Sequence, residues 1–165
     1  MHYIGVDPGK AGAIAMLDER GAVVSVEPMP IISGGRGELD LMSIRDLLLG
    51  DGTPRFVTVE RLQPLPAKMG GSAANFARGL ARGFEWMLVG LGISHQLIAP
   101  QVWQKAMHAG TSGKDTKQRS VVAAQRLFPD ARLQRSARSR KVDDGLAEAL
   151  LLAEYGRRVR QGGPR

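Results

Sequence analysis

Cysteine is absent from the 165 residues, which excludes both a disulfide framework and a thiolate metal site. No apolar run approaches the ~20 residues needed to cross a bilayer. The start, Met1 to Asp7, has neither the basic flank nor the apolar stretch of an export signal. The expectation is therefore an unexported, cytoplasmic protein with no membrane partner. No Gly-x-x-x-x-Gly-Lys-Ser/Thr loop is present, so a P-loop is excluded and no nucleotide cofactor is expected. Repeats and linkers are also missing. Residues 1–160 read as a single domain, and 161–165 as a disordered C-terminal tail. Hydrophobic content of 43% and charged content of 24% are those of a globular domain with a real core.

Acid is scarce beside base: 16 Asp and Glu stand against 23 Lys and Arg, for a net charge of +7. The sequence pI is about 10.4. A balance of this sign points to a polyanionic partner, usually nucleic acid. The excess is local. Between Lys105 and Lys141 lie Lys105, Lys114, Lys117, Arg119, Arg126, Arg132, Arg135, Arg138, Arg140 and Lys141, opposed only by Asp115 and Asp130. That stretch carries +8 and leaves the rest of the chain close to neutral. Lys105, Lys114, Lys117, Arg119, Arg135, Arg138, Arg140 and Lys141 are the candidate nucleic-acid contacts.

Residues 2–6 read as a buried strand, 11–17 as a second and 22–27 as a third, with a turn at Asp18-Glu19-Arg20-Gly21. Together they form an antiparallel meander. A Pro- and Gly-rich loop leads to a helix over about 38–49, which stops at Gly50-Asp51-Gly52. A fourth strand follows at 55–60. Ser72 is placed to cap a helix running to about 90. A fifth strand spans 94–99 and a short helix 100–107, and the last two helices cover 114–127 and 144–158. Strands that meander and then alternate with helices make a mixed α/β sheet. The helix after Ser72 carries Gly79 and Gly83 among Ala73, Ala77 and Ala81. This small-residue stripe serves either packing on the domain's own sheet or a subunit interface.

Three groups of carboxylates stand out. Asp7 ends the apolar strand Tyr3-Ile4-Gly5-Val6, where an unpaired charge is costly. Glu60 ends Phe56-Val57-Thr58-Val59 and projects to the same face as Phe56 and Thr58. Asp144 and Glu148, four residues apart, share one face of a helix whose other side is apolar; Asp143 lies off that face. Drawn together, these acids make an oxygen-only site suited to Mg²⁺ or Mn²⁺. In a basic protein that combination points to phosphodiester cleavage.

Ile4-Gly5-Val6-Asp7-Pro8-Gly9, Val57-Thr58-Val59-Glu60 and Asp144-Gly145-Leu146-Ala147-Glu148-Ala149-Leu150-Leu151 resemble, in order, three motifs of the RuvC-type Holliday junction resolvases, in the form found in phage. The likeness spans about residues 1–156. It implies a ribonuclease H-like fold: a five-stranded mixed sheet, with a three-strand antiparallel meander plus two parallel strands, flanked by helices. It also implies a structure-selective endonuclease in the cytoplasm of a bacterium or a phage-infected host. Asp7, Glu60, Asp144 and Glu148 would be catalytic and would bind two Mg²⁺ ions, for which Mn²⁺ substitutes. Bacterial members space their last two metal-binding residues three apart. Here the spacing is four, or five from Asp143, so Asp143 and Glu148 both stand as the fourth ligand. Lys105 and Lys117 occupy places where the family has lysines near the scissile phosphate, and Lys117 joins the catalytic set.

Two metals about 4 Å apart would activate water and steady the leaving oxygen, giving 5′-phosphate and 3′-hydroxyl ends. A four-way DNA junction is nearly two-fold symmetric, so paired cuts call for a homodimer. The family's aromatic wedge is missing, and Leu62, Leu65 or Met69 would probe the junction instead. Two alternatives are an RNA-processing nuclease of the same superfamily and a noncatalytic junction-binding protein. Gly5–Gly12 also resembles the phosphate loop of actin-like sugar kinases, but 165 residues leave no room for the second domain those proteins need.

Overall fold

In the computed structural model the described residues are 1–34, 38–61 and 71–163, with only the backbone described over 71–78. Three strands lead: β1 (His2–Asp7), β2 (Ala13–Leu17) and β3 (Val23–Pro28). They pair antiparallel as a meander, β1 with β2 and β2 with β3. Helix α1 (Leu41–Leu49) then leads to β4 (Arg55–Glu60), and α2 (Gly71–Gly90) leads to β5 (Ser94–Ile98). Both later strands lie parallel to β1, and the sheet order is β3-β2-β1-β4-β5. Helices α3 (Pro100–Met107), α4 (Thr116–Leu127) and α5 (Asp144–Arg160) complete the chain. The expected five-stranded mixed sheet is the observed one. Among the described residues no helix is long and apolar enough to cross a membrane.

Alternation along β1 and β4 sorts their side chains onto two faces. Ile4, Val6, Val57 and Val59 pack with Ile44, Leu48, Phe84 and Leu88 under α1 and α2. On the opposite face α5 lies against the sheet centre, burying Leu146, Leu150, Leu151 and Leu152 with Trp103, Met107 and Phe128. Two glycines let the α5 backbone come this close. A Cβ on Gly5 would sit 2.0 Å from the Ala149 carbonyl oxygen, and one on Gly156 would sit 2.2 Å from Thr58 Oγ1. The fold therefore holds α5 over β1 and β4 in a single register.

Several element limits differ from expectation, two of them because a capping residue decides them. Asp40 accepts from Ser43 N, so α1 starts at Leu41 rather than near 38. Leu39, ahead of the cap, instead forms an isolated bridge with Ile31. Asp115 accepts from Gln118 N and delays α4 to Thr116. Helix α2 begins at Gly71, which puts Ser72 inside its first turn instead of ahead of it. β2 begins at Ala13 rather than Ala11. Gln161, where the tail was expected to start, donates to the Glu19 carbonyl at 2.8 Å, and Gly163 N donates to Arg158 O. Pro164 and Arg165 lie outside the described residues.

Gly79 and Gly83, the glycines of the α2 small-residue stripe, do not face the sheet. Ala81, Phe84 and Leu88 do that, each buried. A Cβ added at Gly79 or Gly83 would meet nothing within 4 Å. The same outer side carries Trp86, 72% exposed, and Val89, 64% exposed. Packing on the domain's own sheet is thus not what those glycines serve.

Candidate active site

The parallel register pairs Tyr3 with Phe56, Gly5 with Thr58 and Val6 with Val59. It delivers Asp7 and Glu60 to adjacent strand ends on the α5 side, the face that carries Gly5 and Thr58. The N-terminus of α5 comes to the same place, because Gly145 packs on the turn after β1: a Cβ there would lie 2.5 Å from the Ala11 carbonyl oxygen. That turn is itself tight, with Gly9 N bonded to Asp7 O at 2.9 Å. Two strand ends and one helix start thus bring four acids together.

Their charges show the convergence. Burial pushes the Asp7 carboxyl up to about 8, helped by Glu60, Glu148 and Asp144, while Lys117 opposes the rise. Burial raises Glu148 to about 7, with Glu60 and Asp144 adding to the effect and a hydrogen bond from Ser120 opposing it. Glu60 is also raised by burial, against the bond it accepts from Trp103. Asp144 moves the other way: the hydrogen bond from Lys117 holds it below the usual carboxylate range. Among the described residues, no three acids close into a ready-made coordination cage. The donor set still fits hard divalent cations. It consists of carboxylate oxygens that repel one another and are held together by the fold, and a cation would relieve that repulsion.

Asp143 is used differently. It caps α5, accepting from Leu146 N at 3.1 Å, and it is ion-paired with Arg135. Arg135 also donates to the carbonyls of Ala11 and Gly12, so it ties the β1–β2 turn to the start of α5. Both residues are committed to structure, which sets Arg135 apart from the other expected nucleic-acid contacts. Lys105, Lys114, Lys117, Arg119, Arg138, Arg140 and Lys141 are all exposed. Lys105 and Arg119 line an open cleft of about 440 Å³ with Gln104, His108 and Thr116. Lys114 and Lys117 line another that reaches Asp144. Leu62, Leu65 and Met69 lie outside the described residues.

Three residues of the site were not anticipated from the sequence. Trp103 Nε1 donates to Glu60 Oε1 at 2.9 Å, and Ser120 Oγ donates to Glu148 Oε1 at 3.1 Å. His108 Nε2 lies 3.1 Å from Ser120 Oγ. The available signal was a polar atom on an apolar helix face: Ser120 lies on the α4 face that buries Ala123 and Ala124.

No family model and no curated protein matches the chain. Among solved structures it is similar to RuvC of Thermus thermophilus in complex with a Holliday junction substrate, with a TM-score of 0.65 and 16% identity over 98% of this chain and 97% of that one. It is also similar to a second T. thermophilus RuvC structure, with a TM-score of 0.57, 16% identity and the same coverage. The fold is ribonuclease H-like, and the likeness covers nearly the whole chain.

Proposed function

We propose that this chain is a Holliday junction resolvase of the RuvC type, a metal-dependent endonuclease that makes paired cuts in four-way DNA junctions. The observation that carries this reading is the convergence of Asp7, Glu60, Asp144 and Glu148 beside a lysine, next to the segment that carries the chain's net positive charge. The T. thermophilus relative bound to its junction supports the choice of substrate.

Asp7, Glu60, Asp144 and Glu148 would hold two Mg²⁺ ions, or Mn²⁺ in their place. Such ions supply the charge that activates water for attack on phosphorus and steadies the departing 3′-oxygen. The protein's own part is placement. The sheet sets Asp7 beside Glu60, and α5 brings Asp144 and Glu148 over them. Lys117, released from Asp144, meets the charge that builds on the phosphate oxygens. Lys105, Lys114, Arg119, Arg138, Arg140 and Lys141 hold the duplex arms through phosphates, a contact that reads shape and weakens with salt. Cleavage leaves 5′-phosphate and 3′-hydroxyl ends. Two such sites, needed for symmetric cuts, would come from a homodimer joined through the outer side of α2, where Trp86 and Val89 are exposed beside Gly79 and Gly83. Leu62, Leu65 and Met69 would probe the junction centre.

The test is cleavage of a labelled synthetic four-way junction in Mg²⁺, with linear duplex and structured RNA as controls. Symmetric nicks in the junction alone are expected. Preferential cutting of RNA, or tight junction binding without any scission, would overturn the reading in favour of an RNA-processing nuclease or a noncatalytic binder.

A further inference from the structure

Behind the acids lies a buried polar chain that the proposed chemistry does not itself use. Trp103 and Ser120 are fully buried, and Glu60 and His108 are each only 8% exposed. Polar atoms at such depth cost stability unless each finds a partner. An apolar core would have been simpler here, since Met107, Ala123 and Ala124 already fill the surrounding space.

Each bond in this chain has a defined direction. Trp103 is a donor only, and its one N–H goes to Glu60 Oε1 at 2.9 Å. Its large ring is locked in the core, so the N–H is aimed rather than free to follow the carboxylate. Ser120 has a single hydroxyl proton and two acceptors in reach, Glu148 Oε1 at 3.1 Å and the Thr116 carbonyl at 3.2 Å. Once ionised, as it is above about pH 7, the Glu148 carboxylate is the stronger acceptor. With the proton given to Glu148, Ser120 Oγ is left to accept from His108 Nε2–H at 3.1 Å. The backbone of His108 is fixed in turn, because its carbonyl accepts from both N and Oγ1 of Thr111. The chain then closes on itself: the Trp103 and His108 rings meet edge to face, with centroids 5.6 Å apart and planes at 78°.

We propose that Trp103, His108 and Ser120 are positioning residues, a single buried relay running from Glu60 through α3 and α4 to Glu148 that fixes the two carboxylates relative to each other. The proposal rests on the nuclease reading for its purpose, though not for its geometry. β4 and α5 carry the acids, but they leave each side chain its own rotamers. The relay removes that freedom from two ligands at once, and each carboxylate keeps acceptor capacity for a cation. Coupling through the ring contact means that disturbing one end shifts the other.

Two measurements test this. In the metal-free protein, the two tryptophan indole N–H signals in a ¹⁵N correlation spectrum separate by environment, since Trp86 is 72% exposed and Trp103 is fully buried. Ser120→Ala and His108→Leu should each shift the slowly exchanging Trp103 signal, although neither residue bonds it. Calorimetric titration with Mn²⁺ is the second measurement. Trp103→Phe, Ser120→Ala and His108→Leu should each weaken binding by about 10–100-fold. His108→Gln, which keeps an N–H donor at the same reach, should stay close to the parent. Losses in the Trp103→Phe/Ser120→Ala double variant should fall short of the sum of the singles. Parental Mn²⁺ affinity in Trp103→Phe and Ser120→Ala would overturn the relay, as would His108→Gln falling as far as His108→Leu. A parent protein that neither binds Mn²⁺ nor nicks junctions would overturn the nuclease reading instead. The indole signal then still decides the relay, and an unmoved signal in Ser120→Ala and His108→Leu sinks it.

Discussion

Lys117 Nζ lies 2.5 Å from Asp144 Oδ2, so a cation of the chain itself neutralises one carboxylate of the acid cluster. The lysine side chain is 73% exposed and that of Asp144 33%, which makes the pair an easily exchanged partner rather than a strut. A divalent ion and Lys117 would compete for the same oxygen. Lys117→Met should therefore tighten Mn²⁺ binding several-fold by calorimetry. Cleavage should nevertheless slow by about 10²-fold or more, the usual loss when a charge-stabilising donor is removed. Weaker Mn²⁺ binding in that variant would argue that Lys117 organises the acids instead of competing for them.

Asp7 and Glu60 set function against stability. Asp7→Asn and Glu60→Gln should abolish junction cleavage and spare junction binding in gel-shift assays. Each change also removes a buried carboxyl from a cluster in which Glu60 and Asp144 add to the raising of Asp7 and Glu148 by burial. Thermal melts in EDTA at pH 8 should then show Asp7→Asn more stable than the parent protein. Undiminished nicking by either variant would remove both residues from the catalytic set.

The metal-free protein should lose stability as pH rises. Asp7, raised from 3.8 to about 8, and Glu148, raised from 4.5 to about 7, hold protons in the fold that the unfolded chain has already released. Between about pH 4 and pH 8 the native state therefore binds more protons, and stability falls with increasing pH. Asp40 and Asp51 are lowered, so their contribution is lost only below their ordinary values; His108, lowered from 6.5 by burial, opposes the trend just below that value, but one group against two offsets only part of it. Melting temperature in EDTA should decline across that window, by about 2–4 °C for each kcal/mol lost. Added Mn²⁺ should raise it most at the alkaline end. A flat profile in EDTA would show that burial and the neighbouring acids do not raise Asp7 and Glu148.

Close packing of α5 on the sheet can be tested at its contact glycines. Gly5→Ala would drive a methyl into the backbone of Ala149 and Ala153, atoms that cannot swing aside. A loss of about 1–3 kcal/mol in urea denaturation is expected, the usual cost of overpacking. Gly52→Ala serves as a control with open space around the Cβ, its cost arising from the positive φ of 81° alone.

The outer side of α2 bears on assembly. The parent protein should sediment as a dimer and make paired junction cuts, and Trp86→Glu should sediment as a monomer and leave single nicks. An unchanged sedimentation coefficient would move the subunit interface elsewhere.

Much of this molecule is legible along the chain, and for a physical reason. Period-two alternation in Tyr3–Asp7 and Phe56–Glu60 places their acids on one face, and four-residue spacing does the same for Asp144 and Glu148. These are local rules, so the strand ends, the helix face and the mixed sheet can be derived without coordinates. The basic run from Lys105 to Lys141 is equally plain. Long-range pairing is another matter. That Asp143 would spend its carboxylate on a helix cap and on Arg135 depends on the β1–β2 turn arriving from more than a hundred residues away. That Trp103 would reach Glu60, or Ser120 reach Glu148, depends on the angles at which α3 and α4 cross behind the sheet. Periodicity says which side of an element a residue occupies. Only tertiary packing decides which residue of another element stands opposite it, because that choice is made by the whole core at once.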